Sequence, residues 1–149
     1  MTTSKEVAAR RLCAQGLTTK PFPSPEAVVG SLLAMQSQEH AVARWSIGQR
    51  MKDPNVAVVD RALERGSIVR THVLRPTWHF VLSTDIRWLL DLTAPRVQAG
   101  NALYYRKSEL DPPTLMRATD LVAKSLEGGN HLTRPDDFSA LIGSKVAMQ

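Results

Sequence analysis

Hydrophobic positions recur with helical spacing from the N-terminus to about residue 65, and then give way to strict alternation. Ser4 to Gln15 predicts a first helix, with Ser4 as N-cap, Glu6 near the positive helix end and Gly16 as the stop. Val7, Ala8, Arg11, Leu12 and Ala14 give it only a weakly apolar face. Lys20 to Pro25 reads as an extended, proline-stiffened linker. Ser24 then caps a second helix with Pro25 at its first position, and Val28, Val29, Leu32 and Leu33 form its buried stripe. Gln36 lies one turn beyond Leu32 and two beyond Val28, so a polar amide continues an apolar stripe. A third helix is predicted from Gln38 to Met51 behind a Ser37 cap. A fourth runs from an Asn55 cap to Arg65, with Val56, Val59, Ala62 and Leu63 inward and Gly66 ending it.

From Ser67 the period becomes two. Ser67 to Val73 and Pro76 to Leu82 are rich in β-branched and aromatic residues and predict a hairpin around a short Leu74-Arg75-Pro76 connection. In its second strand Trp78, Phe80 and Leu82 share one face, and Thr77, His79 and Val81 the other. Helical spacing then returns. Ser83 or Thr84 caps a helix containing Ile86, Leu89, Leu90 and Leu92, and a further helix is expected after Pro95. Another after Pro112-Pro113 carries Leu115, Ala118, Val122 and Leu126 and ends at Gly128-Gly129-Asn130, and a short helix is expected near Asp137 to Ile142. The expected fold is mainly α with a small β-hairpin: a winged helix-turn-helix followed by an incomplete second helical, winged-helix-like unit. The domains expected are 1–82 and 83–149.

The length of 149 residues suits one domain, or one small domain with part of another. No apolar run reaches the roughly 18 residues of a membrane span, and the first residues lack the apolar region of a signal peptide. A cytoplasmic protein with no membrane partner is therefore expected. Cys13 is the one cysteine, which excludes an intrachain disulfide and a zinc site built from cysteines; beside Leu12 in a helix it reads as a buried structural thiol. The net charge is +5, with eleven Lys and Arg against five Asp and Glu between Arg44 and Lys107. A basic middle fits a polyanion such as double-stranded DNA.

Candidate chemistry follows from this layout. Arg70 and Arg75 flank or occupy the hairpin turn, where a planar guanidinium can pair with phosphate oxygens or simply keep an edge strand charged. Arg44, Arg50 and Lys52 lie on or just after the third helix and reach DNA if that helix is the recognition helix, whereas Trp45 is expected in the core. His72 and His79, on facing strands, are candidate cross-strand neighbours and DNA contacts. Two histidines without a carboxylate make a poor metal site, so neither a metal nor another cofactor is expected. Gln36 and Gln38 are about 200° apart on an α-helix and share a face only where the chain is extended. An amide does not take a proton, but it can orient a water or bond a base edge; two helix-end capping groups would look the same in sequence.

Four segments occur together in one order: Arg11-Leu-x-x-Gln15-Gly16-Leu17, Met35-Gln-Ser-Gln38, Ile68-Val-Arg-Thr-His72 and Arg75-Pro-Thr-Trp-His-Phe-Val81. This order resembles the bacterial winged-helix DNA-binding family that includes the AlkZ-like and YcaQ-like DNA glycosylases, over about Glu6 to Pro95. The resemblance implies an enzyme that removes alkylated bases or unhooks interstrand crosslinks. It implies that Gln36 and Gln38 serve the active site as a glutamine-x-glutamine motif, and that a hairpin, here Arg70 to Val81, engages the minor groove. Ser37 stands where those glycosylases carry an apolar residue. Family members hold several winged helices in tandem, of which this chain supplies the first and part of the second.

Three readings stay open at this point. The first is a DNA-binding winged-helix module related to repair, without catalysis. The second is a glycosylase excising N-alkylated bases through Gln36 and Gln38. The third is a helical interaction domain, forming a homodimer through second-domain helices whose Leu115, Val122 and Leu126 lack a cover.

Overall fold

The computed structural model of the chain describes residues 3–19, 22–74 and 77–132. Arg75, in the hairpin connection, and the helix expected near Asp137 lie outside these residues. The first compact unit comprises residues 1–99 and the second begins at residue 100.

Helix α1 spans Ser4–Ala14. Its N-cap is Thr3 rather than Ser4, because the Thr3 hydroxyl accepts from the Glu6 N–H (3.3 Å) while the Glu6 carboxylate accepts from the Thr3 N–H (2.7 Å). That reciprocal pair satisfies two donors that a Ser4 cap would leave free. No residue of α1 is buried, and Cys13 is exposed, so the expected buried thiol is corrected. The helix stops at Gly16, whose φ of +66° a side chain tolerates poorly and whose absent Cβ leaves room for the Phe22 ring.

Helix α2, Pro25–Leu32, is capped by Ser24 as expected and buries Val28 and Val29. It does not continue to Gln36. Leu33 takes φ +65°, a strained value for leucine that turns the chain out of the helix and leaves its side chain exposed. Met35–Gln36 then forms a two-residue strand, β1. Helix α3 spans His40–Gly48, so Ser37 is not its cap; the cap position belongs to Glu39, which makes no side-chain capping bond. Helix α4 covers Val56–Glu64, with the Asn55 side chain accepting from the Ala57 N–H.

The hairpin strands are β2, Ile68–His72, and β3, Trp78–Leu82. They pair antiparallel with Ile68 opposite Leu82 and His72 opposite Trp78, and β1 adds to the free edge of β3 with Met35 opposite Phe80 and Gln36 opposite His79. The expected two-stranded wing is thus a three-stranded sheet, ordered β1-β3-β2. One sheet face, through Met35, Ile68 and Phe80, closes over α2, α3 and α4 with Val28, Val29, Ala43, Ile47, Met51, Val59 and Ala62. Val73 and Val81 form a second cluster with Leu89, joined by Val69, Ala34 and Ile86. Phe80 is fully buried, and burial of such a side chain contributes roughly 2–3 kcal/mol. Helices with a sheet-backed wing make this a winged-helix fold.

Helix α5 runs unbroken over Ile86–Lys107 with Pro95 inside it, where two helices were expected. Pro95 is exposed, so water can serve the carbonyl that its missing N–H leaves free. Helix α6, Pro112–Leu126, starts from an Asp111 cap and buries nothing; Leu115 and Leu126 are exposed and Val122 is half-buried. A short 3-10 turn, Glu127–Gly129, follows it. Among the described residues no helix is long and apolar enough to cross a membrane.

Candidate active site

Met35–Gln36 is extended as β1, Ser37 continues its pairing with β3, and the chain bends from Gln38, so the condition for a shared face holds at Gln36 and gives way at Gln38. Met35 and Ser37 are buried while Gln36 and Gln38 are exposed. β1 is held by its pairing with β3: the Ser37 N–H donates to the Trp78 carbonyl at 2.8 Å, one step beyond the Gln36–His79 register pair. The chain then bends at Gln38 and Glu39 before α3.

Side chains of the hairpin grip the same segment. Arg70 Nε donates to the Ser37 carbonyl at 3.0 Å, and an Arg70 terminal nitrogen donates to the Gln38 carbonyl at 3.2 Å. The guanidinium lies over the Trp78 ring, 4.4 Å from its centroid. His72 stacks on Trp78 as well, with centroids 4.0 Å apart at 34°. The Gln38 side-chain oxygen accepts from the Trp78 N–H at 3.5 Å, the long limit of such a bond. Ser37 Oγ is fully buried and has no hydrogen-bond partner among the described residues.

His72 and His79 are not neighbours across the strands. His72 faces Trp78 in the register and His79 faces Thr71, so the two imidazoles point to opposite sides of the sheet. His72 is exposed; His79 is buried, and its Nδ1–H donates to the Thr77 carbonyl at 2.8 Å. His79 shares its face with Gln36 and Thr71, its register partners on either side. Among the described residues no group of three or more His, Cys, Asp or Glu is placed to hold a metal.

The third-helix cations are committed inside the protein. Arg50 is buried, and its guanidinium donates to the Gln15 carbonyl (2.8 Å), the Ser46 carbonyl (2.6 Å) and the Ser46 hydroxyl (2.7 Å). Burial pushes its pKa down, though an arginine stays charged at neutral pH. The surface contact expected of Arg50 therefore gives way to an internal tether between the end of α1 and α3. Arg44 is half-buried in an ion pair with Asp60. Trp45, expected in the core, is 59% exposed, because Ala43 and Ile47 supply the inward face of α3.

Arg70, His72 and Trp78 thus share one face of the sheet, with Arg70 and Trp78 bonded to the Ser37-Gln38 segment, while Gln36 and His79 share the other; Trp78 is the residue that sequence reasoning did not single out. The alternation of β3 carried the signal: it puts Trp78 on the face that Arg70 and His72 share once the strands are paired. Arg44 and Arg50 belong to the packing of α3.

Comparison with known proteins bears on the family. The family model described as DNA glycosylase AlkZ-like matches residues 29–143. An interstrand DNA cross-link repair glycosylase of Streptomyces sahachiroi is 28% identical over 141 residues, which is 95% of this chain and 38% of that protein. The solved structure of the Streptomyces sahachiroi DNA glycosylase AlkZ matches with a TM-score of 0.76 at 30% identity, over 99% of this chain and 38% of the other. The chain therefore spans somewhat over a third of the relatives' length and corresponds to only part of their architecture. With the family model covering most of its residues, the chain belongs to the AlkZ-like DNA glycosylase family.

Proposed function

We propose that this chain carries the catalytic glutamine pair of a DNA glycosylase acting on N-alkylated bases. The observation that supports this best is that Gln36 and Gln38 are both exposed on either side of a buried Ser37, where β1 gives way to a bend. In that arrangement both amide oxygens can address one reacting centre. The named activity of the Streptomyces relative on interstrand cross-links is consistent with an alkylated base as leaving group.

The chemistry suits amides. A base alkylated at a ring nitrogen is cationic, so the bond from C1′ to the base nitrogen breaks with its electron pair going to the base, which leaves neutral. Positive charge develops on the sugar as it does so. An amide oxygen stabilises that charge and accepts a hydrogen bond from water, aiming the water lone pair at C1′. The C1′–O bond then forms, and the extra proton passes to solvent. No strong general base is required.

DNA engagement is the second part of the proposal. Exposed His72, stacked on Trp78 at the hairpin, is the group assigned here to the DNA, while the Arg70 guanidinium is taken up by the Ser37 and Gln38 carbonyls. Arg44 supports α3 through Asp60, and Arg50 is left out of the contact set because its fork is engaged internally.

The test is a duplex carrying one N7-methylguanine, titrated with the purified chain at two salt concentrations and assayed for abasic sites. Salt-sensitive binding with abasic sites at the lesion is expected. Salt-sensitive binding without base release would reduce the function to a DNA-binding module, the reading that the basic middle alone supports. Absence of binding at low salt would overturn both.

A further inference from the structure

We propose that Arg70 is a positioning residue for the glutamine pair, holding the Ser37-Gln38 backbone through its guanidinium while Trp78 holds the guanidinium. This rests on the glycosylase reading above.

The argument begins with the weakness of β1. A strand of two residues has little pairing of its own, and at Gln38 the chain already bends away from β3. Nothing in the regular sheet would then fix Gln38. Arg70 supplies what the ladder lacks. In a straight strand consecutive carbonyls point to opposite sides, so a single guanidinium reaching both Ser37 and Gln38 requires, and stabilises, the bend between them. Two donors on one rigid plane define an orientation as well as a distance, which an ammonium cannot do.

Trp78 completes the device. Its ring supports the guanidinium at 4.4 Å, its carbonyl accepts from Ser37 N–H, and its own N–H donates to the Gln38 side chain. One hairpin residue thus touches the Gln38 segment at the backbone and at the side chain, and reaches it again through Arg70. Guanidinium-over-indole contacts are worth about 0.5–1 kcal/mol when exposed and more when desolvated. Arg70 is half-buried and already makes two hydrogen bonds, so its part is to hold the motif, and phosphate contact falls to other groups.

Arg70→Met and Arg70→Lys variants of the chain test this by three readings. The first is the single-turnover rate of base release from an N7-methylguanine duplex. The second is the salt slope of duplex binding. The third is amide hydrogen exchange at Ser37 and Trp78, with Val81, which pairs toward β2, as the internal reference. We expect Arg70→Met to slow base release about 10- to 100-fold, the scale on which small misplacements of reacting groups act. Arg70→Lys should recover part of the rate, because it keeps a cation and a donor.

Binding and its salt slope should stay as in the parent chain. The Ser37 and Trp78 amides should exchange at least about tenfold faster while Val81 is unchanged, as local opening of the β1 edge requires. A salt slope lower by about one with unchanged exchange would make Arg70 a phosphate ligand and overturn the proposal. Equal loss of protection at Val81 would overturn it too, by showing general destabilisation. A parent chain that releases no base would sink the glycosylase reading by itself. The exchange pattern then still decides whether Arg70 holds the segment.

Discussion

Arg50 and Gln15 are joined by a 2.8 Å hydrogen bond from the guanidinium Nε to the carbonyl at the C-cap of α1. Since α1 buries no side chain of its own, this bond is a principal tie of the helix to the rest of the unit. Arg50→Met should therefore destabilise the chain by about 1.5–3 kcal/mol, the value of charged hydrogen bonds lost from a buried setting. It should leave the salt slope of DNA binding untouched. Urea denaturation and a duplex titration at several salt concentrations check the two halves. A lower slope with unchanged stability would return Arg50 to the DNA contact surface.

Arg44 and Arg50 show why charge is hard to read from a chain: nothing in their neighbours in sequence distinguishes a buried tether from a surface cation. Three-dimensional partners 16 and 35 residues away decide it. Elements with an internal period were legible. The Ser24 and Asn55 caps and the alternating faces of the hairpin stand where the pattern puts them. β1 was not, because two residues carry no period and a continued apolar stripe to Gln36 mimics helix. Only the positive φ of Leu33, unforeseeable for a leucine, ends α2 in time. The glutamine pair was legible only as a condition, that the chain be extended there; pairing with β3 makes it so at Gln36, and the chain bends at Gln38.

Ser37 lodges a hydroxyl without a partner in a fully buried niche. Such a group costs about 1–3 kcal/mol in protein substitutions, so Ser37→Ala is expected to raise stability by roughly 1 kcal/mol. Base release should be little changed, because the backbone bonds to Trp78 and Arg70 remain. Thermal or urea unfolding beside the excision assay measures both. A loss of stability would show that the hydroxyl is satisfied in solution.

Cys13 sits exposed on α1. Its thiol should react with a disulfide reagent in native buffer at a rate within a few-fold of the rate in guanidinium chloride. Slow, unfolding-limited labelling would instead mean that α1 packs its Cys13 face away from solvent.

Glu26 accepts hydrogen bonds from Ser67 and Arg65, linking the start of α2 to the end of α4. Burial raises its pKa, but the Ser67 bond, its own backbone N–H and the Arg65 charge together outweigh that and set it below the ordinary 4.5. With the folded pKa depressed, the unfolded chain binds more protons between the two values, so stability rises with pH through that window. The contribution is fully present above 4.5 and is lost as pH falls through the depressed value. Both partners are partly exposed, so the gain is at most about 1 kcal/mol. Glu26→Gln should be less stable than the parent at pH 7, and the gap should close on acidification below 4.5. A gap that stays constant with pH would remove the charge from the explanation.

Gln36 and Gln38 differ in what holds them, and their variants should differ accordingly. Gln36 belongs to β1 and keeps its backbone pairing with His79 whatever its side chain, so Gln36→Ala should fold normally. Loss of one preorganised polar group at a developing charge slows reactions by about 10²–10³-fold, and that is the fall expected in single-turnover base release, with duplex affinity within about twofold. Gln38 also places its side-chain oxygen on the Trp78 N–H. Gln38→Ala therefore removes an amide proposed to be catalytic and frees a donor at the sheet edge, and should combine a similar kinetic loss with faster exchange at Trp78. Gln38→Glu retains the acceptor and the bond to Trp78, yet adds a full negative charge, which favours the cationic sugar and opposes approach of the DNA phosphates. It should keep the Trp78 amide protected and weaken binding most at low salt, where charge is least screened. If Gln36→Ala retained the parent rate, the pair would not be the catalytic one, however well its geometry suits the reaction.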